Sequence, residues 1–215
     1  MGKLFAGPWS DLRGKVGNNV GRYVNGQNII SVKPHKSNKL PTALQLNQQE
    51  IFGTVNGIVS WWKDPIADGF KNYSSKMNAR NAAVQYNLKN AVTGVAPNQE
   101  IDYTALCFSR GQLPGAPTAT VVSQPANEFD ITFNWTMDPR EVTAKGTDLI
   151  SLIVYCPAIN ANTGHAKFIE RSVLTFDLSV PRKFHGTQLE CYICFISADG
   201  KKVSNSQHVG SLLKS

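Results

Sequence analysis

Cysteine and histidine are the residues with the most specific chemistry in this sequence, and their spacing decides what they could do. Cys191 and Cys194 form a Cys-x-x-Cys pair, a spacing found in zinc sites and in redox proteins. The pair lies in a strand-like run, where side chains three positions apart point to opposite faces. No second pair of cysteines or histidines follows at ligand spacing. We therefore expect no metal site, and we interpret Cys107 and Cys156 as small buried apolar residues.

Nucleophilic catalysis has no recognisable pattern in the chain. The four histidines are His35, His165, His185 and His208. Each lies in a different segment, and none is beside a serine, cysteine or carboxylate pattern typical of a catalytic triad. Gly14-Lys15 is followed by Val, so a phosphate-binding loop is missing. The acids Asp130, Asp138 and Glu141 resemble solvated turn residues. The sequence predicts a protein that is not an enzyme and has no cofactor, unless two histidines converge with a carboxylate in a pocket.

Positive charge is concentrated in the first forty residues. This segment has seven basic side chains and one acidic side chain, a net charge of +6 out of +7 for the 215-residue chain. Exposed charges act within about 8–10 Å, so we take this segment as the candidate partner-binding arm. The residues that we assign to partner binding are Arg13, Lys15, Arg22, Tyr23, Lys33, Lys36 and Lys39.

The arm has the pattern of a β-hairpin. Residues 20–32 place strand-forming residues on both sides of Asn25-Gly26, the dipeptide that best fits a type I′ turn. A two-stranded ribbon ending at Pro34 is predicted. Since an isolated ribbon is marginal in water, it should pack on the rest of the chain or on a partner.

Residues 41–100 are predicted to be helical. Thr42 is a candidate cap, and apolar residues from Ile51 to Trp62 recur at helical spacing until Pro65 and Gly69 break the pattern. A second helix is expected from about residue 75 to residue 92, with Gly94 at its C′ position. The two helices should be antiparallel. Adjacent tryptophans on a helix point about 100° apart, so the pair Trp61-Trp62 is interpreted mainly as core packing.

From residue 101 the pattern changes to short alternating runs. The predicted strands are Tyr103–Ser109, Thr118–Ser123, Phe129–Trp135, Leu149–Tyr155, Lys167–Arg171, Ser172–Asp177, Gln188–Ser197 and Ser204–Ser211. Such a series is typical of an antiparallel sandwich. Within it, Phe129, Ile131, Phe133 and Trp135 share one face, which should be buried.

Particular residues of these strands resemble the fibronectin type III plan. Trp135 lies in an early strand, and Tyr192, Ala198, Gly200 and Ser204 match its late pattern Tyr-x-x-x-x-x-Ala-x-Gly-x-x-x-Ser. The resemblance implies an immunoglobulin-like sandwich. It indicates little about function, because that fold is a generic scaffold.

The whole chain resembles a bacterial family, mainly from Bacteroidetes, known as domain of unknown function 6266. The resemblance rests on Gly7-Pro8 with Gly14 to Gly17, Pro41 to Gln45 with Phe52, NAAVQYNLKNAVTG at 81–94, RGQLPGA at 110–116 and SADGKKVSNS at 197–206. Members often carry Arg where this chain has Gln49. The family implies a fold and no established activity. The first half is also similar to the opening of small phage and prophage structural proteins.

The sequence therefore predicts an α+β protein with three parts: a basic β-hairpin arm at 1–40, a helical hairpin at 41–100 and a fibronectin type III-like sandwich at 101–215. Two functions fit. One is a structural or assembly protein of a multi-subunit particle, such as one of phage or prophage origin, in which the arm docks to other protein subunits. The other is a nucleic-acid-binding protein that uses the arm. With no apolar run that could cross a membrane and no signal peptide, we expect a cytoplasmic or virion-associated protein without a membrane partner.

Overall fold

The computed structural model describes residues 2–5, 7, 9–35, 39–73, 77–124 and 130–214. The chain forms two compact units, Met1–Pro41 and Thr42–Ser215. The architecture is mixed α+β, with an antiparallel sheet in the first unit and helices followed by antiparallel sheets in the second.

The first unit is a four-stranded sheet with the order β1-β4-β3-β2. Its strands are β1 (Gly2–Leu4), β2 (Gly14–Val16), β3 (Asn19–Val24) and β4 (Gln27–Val32). The predicted hairpin is confirmed as β3 and β4, and Asn25 and Gly26 between them have φ angles of 50° and 78°. β1 and β2 were not predicted, because three residues are too few to show an alternating pattern.

Among the described residues, three helices open the second unit, and the prediction of two is wrong. They are α1 (Ala43–Trp61), α2 (Lys63–Gly69) and α3 (Ala79–Asn90). The predicted start of α1 is confirmed, since Thr42 forms a capping box with Gln45. Pro65 lies in the first turn of α2, where backbone N–H groups have no intrahelical partner, so it does not prevent the helix.

The bounds predicted for the second helix differ from those of α3. Asn78 caps the first turn of α3 by accepting a hydrogen bond from the N–H of Asn81, while residue 75 lies outside the described residues. The C-cap is Ala91, so Gly94, whose φ is 82°, is not at the C′ position. It lies instead between β5 (Val92–Thr93) and β6 (Glu100–Ile101), which form a small two-stranded sheet.

Two further antiparallel sheets follow. Their strands are β7 (Ala119–Ser123), β8 (Asp130–Trp135), β9 (Leu149–Cys156), β10 (Ala161–Glu170), β11 (Thr175–Ser179), β12 (Thr187–Ile196) and β13 (Gln207–Lys214). One sheet has the order β11-β8-β7 and the other the order β10-β9-β12-β13. Short 3₁₀ helices at Tyr103–Ala105, Pro157–Ile159, Arg171–Val173 and Arg182–Phe184 connect the elements.

Most predicted strands are present, and the exceptions have local causes. The strand predicted from Tyr103 is wrong, because the Asp102 carboxylate accepts a hydrogen bond from the N–H of Thr104 and turns the chain into a 3₁₀ helix. The strands predicted to meet at Arg171 and Ser172 are instead β10 and β11, separated by the 3₁₀ helix Arg171–Val173.

The predicted buried face of β8 is confirmed for Ile131, Phe133 and Trp135, while Phe129 lies outside the described residues. The other predicted strands differ from β7, β9, β12 and β13 mainly at their ends.

The sheet β10-β9-β12-β13 is the middle layer of the second unit. One core cluster joins it to the sheet β11-β8-β7, and a second joins it to the helices. Trp62, at the end of α1, is the centre of the second cluster and makes edge-to-face contacts with Phe108, Tyr155 and Tyr192 at centroid distances of 5.9, 5.7 and 5.4 Å. The central strands β9 and β12 are consequently buried on both faces.

Candidate functional site

The pairing of the N-terminal strands collects basic side chains on one face of that sheet. Lys3 and Arg22 are both register partners of Ile29, and Lys15 is the partner of Val20. Because residues 20, 22 and 24 of β3 point to the same side, all three cations share a face. Strands lie about 4.8 Å apart, so Lys3 and Arg22 are about 10 Å from each other across β4. We call Lys3, Lys15 and Arg22 the basic face.

The opposite face of the sheet has an apolar recess. The segment before β2 crosses it at Gly21, where a Cβ atom would lie 2.2 Å from the carbonyl oxygen of Leu12. The amide of Asn28 donates to the carbonyl oxygen of Ser10 and fixes this segment to β4. The recess has a volume of about 270 Å³ and is lined by Trp9, Leu12, Val16, Asn19 and Ile30.

The residues predicted from the arm are divided between these surfaces. Lys15 and Arg22 belong to the basic face, to which the structure adds Lys3. Tyr23 lies on the opposite face, where the guanidinium of Arg13 stacks on its ring at 5.2 Å. Lys33 and Lys39 follow β4 and are exposed, and Lys36 lies outside the described residues. The basic and aromatic residues of the arm therefore do not form one continuous surface.

The N-terminal sheet buries almost nothing. Among the residues described up to Pro41, Gly21 alone is buried. Large apolar side chains are exposed instead, including Trp9 at 58%, Tyr23 at 55% and Val32 at 63%. A sheet needs a covered apolar face for stability, so this combination of cations and bare apolar side chains identifies the N-terminal sheet as the candidate docking surface.

The cysteine pair lies on opposite faces of β12, as the spacing predicts. Cys191 is buried between the two sheets and Cys194 is buried against the helices. Burial raises the pKa of both thiols to about 12, so they are protonated at neutral pH. Within the described part of the chain, no group of three His, Cys, Asp or Glu side chains is placed to hold a metal ion.

Half-buried His208 and exposed Ser211 form a polar cluster with buried Glu190 that the sequence did not indicate. The Nε2 of His208 lies 2.8 Å from Glu190 Oε2, and Ser211 Oγ donates to the same oxygen at 2.6 Å. The two side chains share a face because β13 has a bulge opposite Cys191 and Tyr192. The cluster connects β13 to β12. Because the serine donates to the carboxylate and not to the imidazole, the cluster lacks the geometry of a nucleophile with its base. Neither His35, which is exposed, nor His185, which is half-buried elsewhere, joins it, and the side chain of His165 is outside the described part.

The family model for a family of unknown function, DUF6266, matches residues 11–210 of this chain. The chain belongs to the DUF6266 family. A search of curated proteins finds no match. Among solved structures, the chain is similar to the twitchin kinase region from C. elegans (Fn31-NL-kin-CRD-Ig26), at 12% identity and a TM-score of 0.34. That likeness covers 47% of this chain and 17% of the twitchin chain, so the DUF6266 chain matches only a small part of that structure's length.

One segment that indicated DUF6266, RGQLPGA, is held by a buried arginine. Arg171 is 1% exposed and donates to the carbonyl oxygens of Pro114, at 2.8 Å, and Gly115. Its guanidinium lies 3.9 Å from the buried carboxylate of Asp148 and stacks on Phe195 at 4.1 Å. These contacts attach the loop to the sheets, so this part of the motif has a structural role.

No helix in the described ranges of this DUF6266 chain is long and apolar enough to cross a membrane.

Proposed function

We propose that this DUF6266 chain is a non-enzymatic assembly protein that docks through its N-terminal sheet onto an acidic subunit of a larger particle, such as a virion component of phage or prophage origin. The observation that carries this proposal is a four-stranded sheet in which Gly21 alone is buried among the described residues. A unit of about forty residues rarely folds stably without metals, disulfides or a partner surface. A partner that covers the sheet supplies the missing burial.

The distribution of charge indicates the chemistry of that partner. The first forty residues carry a net charge of +6, and Lys3, Lys15 and Arg22 are on one face. Like charges repel, so the face selects an acidic protein surface over a second basic sheet. The apolar recess beside Trp9, on the other face, fits an aliphatic or aromatic anchor of the partner.

We further propose that residues 101–215 are a fibronectin type III-like sandwich that the particle displays outward. Support comes from seven antiparallel strands divided into a sheet of three, β11-β8-β7, and a sheet of four, β10-β9-β12-β13. Trp135 is buried between these sheets. Tyr192 departs from the sandwich core because it packs on the helix side.

The test uses the full chain and its native particle. Cells producing the wild-type chain, or a variant with Lys3, Lys15 and Arg22 changed to Glu, are lysed and fractionated on a density gradient. Wild type should sediment with a particle and be released by high salt, whereas the variant should stay at the top. A matched variant with Lys71, Lys89 and Lys201 changed to Glu, all exposed in the second unit, should sediment like wild type. A wild-type chain that is strictly monomeric and joins no particle would contradict the proposal.

Nucleic-acid binding is the second candidate, and the clustering of three cations on the basic face favours it. Three phosphate contacts predict a slope of about −2.7 for the logarithm of affinity against the logarithm of salt concentration on duplex DNA. The triple Glu variant should remove this binding. Tyr23 is on the other face, so its change to Ala should have no effect on affinity. Absence of binding below 100 mM salt would exclude this function.

A further inference from the structure

A small cleft in the second unit combines an exposed aromatic ring with polar side chains that have no partner among the described residues. It has a volume of about 180 Å³ and lies between the junction of α1 with α2 and the strands β9 and β10. Trp61, Asp64 and Asn162 line it together with the backbone around Gly164. It lies in Thr42–Ser215, whereas the proposed docking surface lies in Met1–Pro41.

The position of Trp61 follows from its neighbour. Trp62 is fully buried against three aromatic rings, and adjacent helical residues point about 100° apart. Trp61 is therefore directed outward and remains 56% exposed. An exposed indole held by a rigid neighbour is a preorganised binding surface, because little side-chain freedom is lost when a ligand stacks on it.

Gly164 lines the cleft and has no side chain there. Gly164 is the register partner of Ile153 in the pair β9-β10. A Cβ atom at Gly164 would lie 2.1 Å from the carbonyl oxygen of Leu152, so no larger residue fits without a shift of the strand. Asn162, two residues earlier, points to the same face.

Asp64 has a negative charge that no described cation neutralises. One turn later in α2, Asp68 pairs with the ammonium of Lys167 at 2.7 Å. Asp64 lies exposed in the first turn of α2 and has no such partner within the described residues. The nearest basic residue in sequence, Lys63, lines a different cleft with Val59 and Arg80.

We propose that this cleft binds an organic cation, a guanidinium or an ammonium group. Asp64 pairs with the positive charge, Trp61 offers the negative face of its ring, and the Oδ1 atom of Asn162 accepts a hydrogen bond. A carboxylate and an indole face attract a cation together, whereas a neutral ligand gains from neither charge nor quadrupole. The cation is either a small free molecule or an arginine or lysine side chain from the basic unit of a second copy.

The test follows the indole N–H resonance of Trp61 in the intact protein by NMR, assigned with Trp61→Phe. The probe is N-methylguanidinium, and the comparison is N-methylurea, which has a similar shape and no charge. Ionic strength is kept constant. Methylguanidinium should shift the resonance saturably, with a millimolar dissociation constant, and N-methylurea should not.

Two variants and a control locate the binding. Asp64→Asn should weaken methylguanidinium binding about tenfold when followed at the Trp61 resonance. Trp61→Ala should weaken it to a similar extent when followed at the backbone amides of Asp64 and Gly164. Glu50→Gln, which removes an equal charge from an exposed position of α1, should leave the affinity unchanged. Equal binding of N-methylurea, or wild-type affinity in Asp64→Asn, would overturn the proposal.

A last arm identifies the source of the cation. If a second copy supplies it, the Trp61 resonance shifts with protein concentration in wild type and not in Asp64→Asn. If the resonance is independent of protein concentration while methylguanidinium still binds, the ligand is a small free cation.

Discussion

The molecule contains two four-stranded antiparallel sheets with opposite patterns of burial. In the sheet β1-β4-β3-β2, Gly21 is the one buried residue among those described. In the sheet β10-β9-β12-β13, residues 150–156 of β9 and 189–196 of β12 are buried throughout. The second sheet obtains its cover from its own chain, with strands on one face and helices on the other. The first sheet has no comparable cover among the described residues, which is why we propose that it docks onto a partner.

The largest expected difference between the two sheets is the rate at which a cysteine thiol on each of them reacts with an alkylating reagent. Burial raises the pKa of Cys191 and Cys194 to about 12 from an ordinary value of 9.0. The thiolate fraction at pH 8 is then about a thousandfold smaller than in the unfolded chain, so iodoacetamide should react at least about a thousandfold more slowly. Mass spectrometry of the labelled protein measures this rate with and without urea.

The control for this prediction places a thiol on the other sheet. Val24→Cys introduces one at a position that is 44% exposed in β3. It should react within minutes in the native protein. Rapid labelling of Cys191 or Cys194 under native conditions would show that the middle layer opens, and would break the contrast.

Arg171→Met should give the largest loss of stability. It removes the hydrogen bonds to Pro114 and Gly115 and leaves Asp148, which is 2% exposed, as a buried charge without its partner. The free energy of unfolding in urea should fall by about 3–5 kcal/mol. Lys201→Met is the matched control, because Lys201 pairs with Asp199 at an exposed site, and it should change stability by less than about 0.5 kcal/mol. Equal effects of the two variants would contradict this account.

Changing one valine to alanine in each sheet should give a smaller loss of stability than Arg171→Met. Val154→Ala in β9 removes two methyl groups from the fully buried core and should cost about 2–3 kcal/mol of unfolding free energy. Val24→Ala in β3 removes the same groups from an exposed side chain and should cost less than about 0.5 kcal/mol. Urea denaturation followed by circular dichroism measures both. A large loss for Val24→Ala would mean that the N-terminal sheet is already covered in the isolated protein.

The sequence predicts those parts of the fold that depend on short-range patterns. Asn25-Gly26 located the hairpin, Thr42 located the start of α1, and alternation located β8. Spacing alone also placed Cys191 and Cys194 on opposite faces. Each of these features is determined by residues that are only a few positions apart in the sequence.

Features that depend on tertiary contacts were not predictable in this way. The strand β9, LISLIVYC, is almost continuously apolar, which indicates that it is covered on both faces. The pattern does not indicate which elements cover it. Arg171 and Asp148 are separated in sequence and meet only when the sheets pack. Lys3 was not predicted as part of the basic face for a related reason, since strand register and not sequence distance places it on the same face as Arg22.

The smallest predicted effect tests whether the two units are energetically separate. Gly26→Ala forces a residue with a side chain to adopt a φ of 78° in the hairpin turn, at a cost of about 1 kcal/mol. Gly53→Ala in α1 has open space around the new Cβ atom and should stabilise the second unit by about 0.5–1 kcal/mol. Amide hydrogen exchange should therefore become about fivefold faster in β3 and β4 for Gly26→Ala, with β9 and β12 unchanged, and slower in α1 for Gly53→Ala. If Gly26→Ala accelerated exchange in β9 and β12 as well, the two sheets would unfold together, and the N-terminal sheet would draw its stability from the rest of its own chain and not from a partner.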